Sequence, residues 1–304
     1  MNMKLIAPLA LFLLAACDGN PIGAGNGGGG DDGGDPDTAV GSIYGDALEV
    51  EALTANSVAY DETRDELVIN NIPFDGISAD NGQAAYVRTG TLPNGFGRYE
   101  SVETGETGRR QYYAVFRRSA SGFAQAAAIG TDSYVDFGFG GVTAQRTNAS
   151  IRLPGGGEYV YTGEYAAVVT YDKTQPGSPG GIQYITGDVE MDVDIRDFDE
   201  TGAVEGIIFN RTLYAQDGTE IGPLDNFISL ATGEIDPEAR SVLSSTATAF
   251  TFGGGTQVST GNWAAVFAGP DGEEIAGIVV LEGAISTAPG SGTTRETGVF
   301  LTQD

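Results

Sequence analysis

The chain has 304 residues, 15 basic and 42 acidic, with no histidine, which gives a formal charge of −27 at pH 7. This acidic surplus excludes nucleic-acid binding through general electrostatics, because basic side chains supply that affinity. The lack of histidine excludes Ser-His-Asp and Cys-His catalysis, imidazole zinc sites and His-ligated haem. We therefore predict a protein that is not an enzyme, with no cofactor, no metal site and no catalytic residues. Carboxylate-only, Tyr or Ser-Lys chemistry is not excluded, and a carboxylate-based hydrolase is the enzymatic alternative.

The N-terminus has the pattern of a secretory signal. Lys4 precedes an uncharged run from Leu5 to Ala16, which is too short to span a bilayer, and Cys17 follows as the only cysteine. Leu14-Ala15-Ala16-Cys17 resembles the lipobox of bacterial lipoproteins. This resemblance implies that residues 1–16 are a lipoprotein signal peptide, cut before Cys17, whose thiol then carries lipid chains such as palmitate. A soluble secreted protein with a free thiol is the alternative.

Residues 17–40 are mostly Gly, Asp, Pro and Asn. Such a segment buries too little apolar surface to offset the entropy of ordering, so we predict a flexible, disordered tether. About 23 flexible residues have a root-mean-square reach of roughly 25–30 Å, which holds a folded body away from a membrane. Gly23 to Gly28 formally match a dinucleotide-binding fingerprint, but no predicted strand precedes them and no helix follows, so we reject that site.

The remaining residues have the pattern of an all-β protein. The 47 glycines are spread along the chain, and no apolar period of 3.6 residues persists over a helical length. Gly155-Gly156-Gly157 interrupts the pattern. We therefore predict a β-rich domain over residues 41–154 and a second β domain over residues 158–304.

Turn signals separate seven predicted strands in the first domain. These strands are Ala47–Ser57, Glu66–Asn70, Gln83–Arg88, Gly97–Val102, Arg110–Arg117, Ala124–Gly130 and Ser133–Phe139.

The second domain has longer strand patterns. Between Asp188 and Arg196, charged residues alternate with apolar ones, which predicts an antiparallel strand with one face in water. A calcium site over Asp188–Asp199 is the alternative, although the spacing of an EF-hand is missing. Gly269-Pro270-Asp271-Gly272 predicts a hairpin turn with a positive φ at Gly272. The strand spacing predicts a meander closed into a barrel, with other strands at residues 159–169, Ala203–Ala215, Arg240–Phe250 and, last, Thr297–Leu301.

The segment from Phe267 to Gly277 resembles the hairpin of the transferrin-binding protein B family of surface lipoproteins. Gly298-Val299-Phe300 resembles the family's closing strand, although Leu301 stands where the family has glycine. The resemblance covers residues 158–304 and implies an antiparallel eight-stranded β-barrel, with residues 41–154 in the position of the family's handle domain. In the family this barrel occurs in receptors that capture proteins. This chain has one such barrel and lacks the lysine-rich loops of transferrin receptors, so transferrin is not the expected ligand.

Eight of the thirteen arginines lie between Arg88 and Arg152, where five acids leave three net positive charges. Arginine interleaved with tyrosine is typical of binding surfaces. We predict an exposed patch that faces away from the barrel and selects an acidic ligand. On a strand from Arg110 to Arg117 both faces cannot be free, so we expect only one face to be exposed, with its arginine as the accessible residue. The alternative is that these arginines pair with the acidic barrel domain or lie singly on strand faces. The candidate ligand-binding residues are Arg109, Arg110, Tyr112, Tyr113, Arg117 and Arg118.

Together these features predict a lipid-anchored, extracytoplasmic binding lipoprotein that captures a protein or another ligand without catalysis. We expect it in the bacterial cell envelope, in the outer membrane and exposed at the surface. The membrane, through the lipid on Cys17, and an unidentified protein are the expected partners. Two alternatives stay open: a structural envelope lipoprotein without a ligand, and retention in the inner membrane, which Asp18 after the lipidated cysteine signals in some bacteria.

Overall fold

A computed structural model provides the fold of this chain. Cys17, the tether and Arg109 lie outside the residues that it describes. Over the described part of the chain the structure is all-β, as predicted, with seventeen strands and one short 3-10 helix, and no helix there is long and apolar enough to cross a membrane. The two sheets of the protein form one compact unit. The described residues are 41–75, 84–101, 110–148, 150–175, 178–196, 202–286 and 292–304.

The first sheet has eight antiparallel strands and curls into a half-barrel. Its strands follow one another as a meander, except that the first strand pairs with the eighth. The 3-10 helix Gly45–Leu48 follows the first strand. The strands are β1 (Ser42–Tyr44), β2 (Ser57–Asp61), β3 (Glu66–Asn70), β4 (Ala84–Thr91), β5 (Gly97–Ser101), β6 (Tyr113–Arg118), β7 (Ala124–Gly130) and β8 (Gly141–Arg146).

The second sheet closes into an antiparallel barrel of eight strands, which confirms the predicted architecture. β17 pairs with both β9 and β16, and β10 pairs with both β9 and β11, so the ring has no free edge. The short β12 is an extra strand on β11. The strands are β9 (Gly157–Tyr171), β10 (Gln183–Ile195), β11 (Ala203–Ala215), β12 (Glu220–Pro223), β13 (Asn226–Asp236), β14 (Ser241–Thr251), β15 (Gln257–Ala268), β16 (Glu274–Gly283) and β17 (Thr294–Gln303).

Large aromatic side chains fill the barrel interior, among them Tyr165, Trp263 and Phe300. Glycines on neighbouring strands make room for the rings. A Cβ on Gly277 would lie 2.0 Å from Phe300 Cζ, and a Cβ on Gly298 would lie 2.1 Å from the Tyr165 hydroxyl oxygen. The barrel interior is therefore a packed core, in which glycines stand where an aromatic ring leaves no space for a side chain.

Strands β6 to β8 of the first sheet are largely buried on both faces, because they pack against the barrel on one side and around the sheet's own core on the other. The alanine-rich β7 shows this best, since every one of its residues is buried. Ala126 and Ala128 belong to the apolar layer against the barrel, whereas Ala127 and Ile129 belong to the opposite core. Small side chains allow this strand to pack closely on both sides.

Two predicted strands of the first domain are wrong. Most of Ala47–Ser57 lies in the 3-10 helix and the connection to β2, although Leu48 and Leu53 are buried there. Ser133–Phe139 is a loop in which Tyr134 and Phe139 pack edge to face, with ring centroids 5.4 Å apart. In both segments apolar side chains contact the core although the backbone is irregular. Their spacing in the sequence resembles the alternation of a strand, which explains the wrong predictions.

The alternation predicted for the second domain is confirmed. Asp188, Glu190 and Asp192 are exposed along β10, and the intervening Val189 and Met191 are buried inside the barrel. These carboxylates thus occupy a solvated strand face. The remainder of the suggested calcium loop, residues 197–199, lies outside the described residues, and within them no group of three potential metal ligands is found.

Candidate functional site

The two candidate tyrosines are buried, which corrects the prediction of one exposed Arg/Tyr patch. Tyr112 lies in the core of the first sheet, where its hydroxyl donates a hydrogen bond to the Pro73 carbonyl at 2.8 Å. Burial, together with a hydrogen bond to Tyr134, raises the pKa of Tyr112. Tyr113 packs in the layer between the sheet and the barrel and accepts a hydrogen bond from Gln216 at 2.9 Å. Neither ring is accessible, because Tyr113 begins β6, Tyr112 directly precedes it, and this part of the sheet is covered on both faces.

The candidate arginines do not converge on one surface. Arg117 Nη1 donates to Glu164 Oε2 of the barrel at 2.8 Å, whereas Arg118 pairs with Glu62 of the first sheet. Adjacent residues of a strand point to opposite faces, so these two guanidinium groups separate. Arg110 is exposed, and Arg109 lies outside the described residues. A ligand role for the four arginines remains a prediction.

Other arginines of the same stretch also contact the barrel. Arg98 Nη1 donates to the Gln216 carbonyl at 2.8 Å, and Arg146 Nη1 donates to the Ala239 carbonyl at 2.9 Å. Burial lowers the pKa of Arg146, and the neighbouring Arg240 adds to this effect. Three arginines of the first sheet, including Arg117, thus bind polar groups of the barrel. Among these described contacts only that of Arg117 is with a carboxylate.

An apolar layer under these contacts covers one side of the barrel. Phe96 and Val115 of the first sheet pack with Val168, Ile278 and Val299 on the outer faces of β9, β16 and β17. These residues are completely buried. Tyr184 of β10 and Tyr214 of β11 also belong to this layer. The remaining outer faces of β10 and β11, with those of β13 and β14, are not part of it, and we call them the open wall.

The open wall is acidic and partly aromatic. Its four strands carry seven carboxylates and one base, Arg211, which is buried inside the barrel. Across the β10–β11 ladder, Phe209 lies opposite Asp188, and Ile207 lies opposite Glu190. The wall therefore places apolar side chains directly beside carboxylates.

An aromatic cluster continues this surface on β13 and β14. The ring of Phe227 lies 6.0 Å from that of Phe250 and 5.5 Å from that of Phe252, measured between centroids. Phe252 is 60% exposed, and Gly253, Gly254 and Gly255 follow it. This group of one exposed and two half-buried phenylalanines is a candidate contact surface for another molecule.

A groove of about 480 Å³ runs along the seam where the residues at the end of β6 meet the barrel wall. We call it the seam groove. Glu274 is 5% exposed there, and its Oε1 accepts a hydrogen bond from the Ser121 hydroxyl, whereas its Oε2 has no hydrogen-bond partner among the described residues. The charged side chains that line the groove are Arg117, Glu164, Asp188, Glu190 and Glu274.

The barrel interior also holds a buried ion pair that the sequence did not indicate. Arg211 Nη2 lies 2.5 Å from both carboxylate oxygens of Glu296, and the Tyr165 hydroxyl donates to Glu296 Oε1 at 2.7 Å. Arg211 also donates to the Asn226 side chain. Burial raises the pKa of Tyr165, and the carboxylate of Glu296 adds to the rise. Asn210, with φ +49, lies where the register of β10 against β11 shifts, just before Arg211.

No protein-family model and no curated protein sequence matches the chain. Solved structures do match its fold. The fold is similar to that of transferrin-binding protein B. The intact Ap-TbpB, with N and C lobes, shares 14% identity over 82% of this chain and 46% of its own length, with a TM-score of 0.39. A transferrin-binding protein B double mutant from Haemophilus parasuis matches 82% of this chain and 44% of its own length at 14% identity and TM-score 0.38.

A structure described as a surface lipoprotein is also similar, at 14% identity and TM-score 0.34. The match covers 62% of this chain and 79% of that structure. The chain thus spans about half the length of the transferrin-binding protein B structures above, and most of the length of this smaller one.

Proposed function

We propose that the protein is a lipid-anchored, non-catalytic binding lipoprotein of the bacterial outer membrane, exposed at the surface, that captures a protein or another ligand. In this proposal the lipid on Cys17 attaches the chain to the membrane. Residues 17–40 form the tether, and the two sheets present the ligand-binding surface.

One observation supports the proposal most: the barrel interior is filled with side chains, and the open wall on its outside is left uncovered. Aromatic side chains occupy the interior, so a ligand has to contact the outside. The first sheet covers one side of the barrel, and polar contacts such as Arg117–Glu164 hold the two sheets together. The opposite side keeps an acidic and aromatic surface in contact with solvent. A firm scaffold with one open composite surface suits binding.

The anchor is tested by changing Cys17→Ser in the full chain. We expect the parent chain to fractionate with membranes, to lack residues 1–16, and to carry the extra mass of its acyl chains. The variant should be uncleaved or soluble, whereas the neighbouring control Asn20→Ser should behave as the parent. Unchanged fractionation and mass in the Cys17→Ser protein would refute lipid anchoring.

Two experiments test surface exposure and the capture of a protein ligand. Protease added to intact cells should degrade it if it is exposed at the surface. Immobilised lipoprotein should retain a discrete protein from the extracellular medium or the envelope, and that protein, once purified, should bind again in a defined ratio. Retention of no protein would favour the structural envelope lipoprotein instead.

A further inference from the structure

The seam groove and the open wall meet at two residues. Asp188 and Glu190 line the groove, and both also belong to the exposed face of β10. Phe209 lines the same groove and lies opposite Asp188 in the β10–β11 ladder. The two features therefore form one continuous surface that combines carboxylates with apolar side chains.

The charges of the groove are unbalanced. Among the described residues that line it, the only cation is Arg117, which already pairs with Glu164 at 2.8 Å. The carboxylates of Asp188, Glu190 and Glu274 have no ion pair among the residues that the structure describes. The groove thus keeps three negative charges close together and attracts a positive group.

Glu274 indicates where such a group would bind. Glu274 is only 5% exposed, and its Oε2 lacks a hydrogen-bond donor within the described part of the chain. Buried carboxylates are normally satisfied by donors, and an ammonium or guanidinium group supplies several donors together with the opposite charge. A lysine or arginine side chain from another molecule would complete this site.

The aromatic half of the surface indicates the size of that molecule. Phe227 of β13, Phe250 of β14 and Phe252 just after β14 form an apolar cluster, and β13 pairs with β11. Aromatic side chains contribute much of the binding energy in protein interfaces. A small cation alone would leave this cluster uncovered, whereas a protein surface reaches both parts.

We propose that the seam groove and the open wall bind a basic protein partner, which inserts a lysine or arginine side chain beside Glu274 and covers the phenylalanine cluster with apolar side chains. The proposal rests on the proposed function and adds that the captured protein is basic. The arginine-rich stretch had predicted an acidic ligand instead. A second copy of this chain is a poor partner because two chains of −27 repel each other, and anionic membranes are repelled likewise.

The test uses the full lipoprotein in neutral detergent and three synthetic peptides of equal length, one alternating Lys with Trp, one Lys with Ser, and one Glu with Trp. Calorimetric titration should show the Lys/Trp peptide binding about tenfold more tightly than the Lys/Ser peptide, and no binding of the Glu/Trp peptide. Asp188→Asn/Glu190→Gln should weaken Lys/Trp binding by about tenfold, and Phe252→Ser by about fivefold.

Matched controls separate this surface from the general acidity of the chain. Asp46→Asn/Glu49→Gln removes the same charge from two exposed residues at the 3-10 helix, and Phe74→Ser removes a phenylalanine after β3 that is 57% exposed. Both controls should keep the parent affinity within about twofold. Equal losses in the control pair and the wall pair would overturn the proposed surface.

Further outcomes test the groove contact and the aromatic contact separately. Equal affinity for the Lys/Ser and Lys/Trp peptides would refute the proposed contact with the phenylalanine cluster. A folded Glu274→Gln protein with parent affinity would eliminate the groove contact, and a melting curve establishes that this variant is folded. Tighter binding of the lipoprotein to anionic than to neutral vesicles would indicate that this surface binds a membrane and not a protein partner.

The proposed function can survive the failure of this inference. A captured protein that binds the wall variants as tightly as the parent would show that capture occurs on another surface. Capture of no protein by the parent would instead refute the proposed function itself.

Discussion

Arg117 of β6 lies 2.8 Å from Glu164 of β9, so an ion pair joins the first sheet to the barrel beside the seam groove. The same guanidinium donates to the Asn94 carbonyl at 2.9 Å and lies over the Phe96 ring. This arrangement fixes one edge of the groove.

We expect Arg117→Gln and Glu164→Gln each to lower the free energy of unfolding by about 1 kcal/mol, because both side chains are partly exposed and solvent weakens the pair. The double variant should lose less than the sum, with a coupling of about 0.5–1 kcal/mol. Urea unfolding of the parent, both single variants and the double variant measures this coupling. Arg64→Gln, at a pair whose arginine side chain is 60% exposed, is the control and should change stability by less than about 0.5 kcal/mol. Additive losses would show that the pair does not couple the sheets.

The buried pair of Arg211 and Glu296 should respond differently. Arg211→Met alone should lower the free energy of unfolding by about 3–5 kcal/mol, because it leaves an uncompensated carboxylate inside the barrel. Arg211→Met/Glu296→Gln should regain much of that loss, since no buried charge then remains. Denaturant unfolding monitored by Trp263 fluorescence measures both variants. A double variant no more stable than the single one would contradict this explanation.

Asp65 should make part of the free energy of unfolding depend on pH in the acidic range. Its carboxylate accepts hydrogen bonds from Tyr60, Arg88 and Tyr99 at 2.9–3.0 Å. Burial acts to raise the pKa of Asp65, but these hydrogen bonds outweigh it and hold the pKa below the ordinary 3.8. A lowered folded-state pKa means that the contribution is present above pH 3.8 and is lost as the pH falls through the folded-state value.

Asp65→Asn should therefore flatten the decline of stability below about pH 4. Asparagine tolerates the positive φ of this position, which is 53°, so the backbone should be retained. The loss at pH 7 should not exceed about 1 kcal/mol, because the Asp65 side chain is 39% exposed. Thermal unfolding at a series of pH values measures this effect, and a variant with the parent's acid slope would refute it.

Removal of the last seven residues, Gly298–Asp304, should abolish cooperative unfolding. β17 pairs with β9 and β16, and its Phe300 fills the barrel interior, so the deletion opens the ring and exposes two strand edges. Calorimetry should show a broad or absent transition. Deletion of the exposed residues 303–304 alone is the control and should preserve the transition. A seven-residue deletion that melts like the parent would refute the role of β17 as the closing strand.

Local patterns predicted much of the fold. The predicted bounds of β3, β7 and β11 agree with the structure, because turn residues and strand alternation are encoded in short segments. The turn at Gly269–Gly272 also has the predicted positive φ at Gly272, 77°. β8 was missed because both its faces are buried, so Thr143, Gln145 and Arg146 do not mark a solvent side.

The candidate site was less predictable because its contacts join distant parts of the chain. The arginine-rich stretch has few acids of its own, but Arg117 finds Glu164 and Arg118 finds Glu62 outside it. The acidic face of β10 was recognised from its alternation. Its aromatic neighbour was not, because β13 was not predicted and the Phe227–Phe250 contact depends on the register of two strands.

The position of β17 also determines when the molecule can fold. The first sheet packs on a surface formed by β9, β16 and β17, and that surface is complete only after Thr294–Gln303 joins strands translated much earlier. Apolar side chains such as Phe96 and Val115 emerge about two hundred residues before their packing partners on β17. Maturation of the N-terminal half thus depends on completion of the C-terminal half, and a chain stalled before its last strand exposes an uncovered apolar sheet that is prone to aggregate.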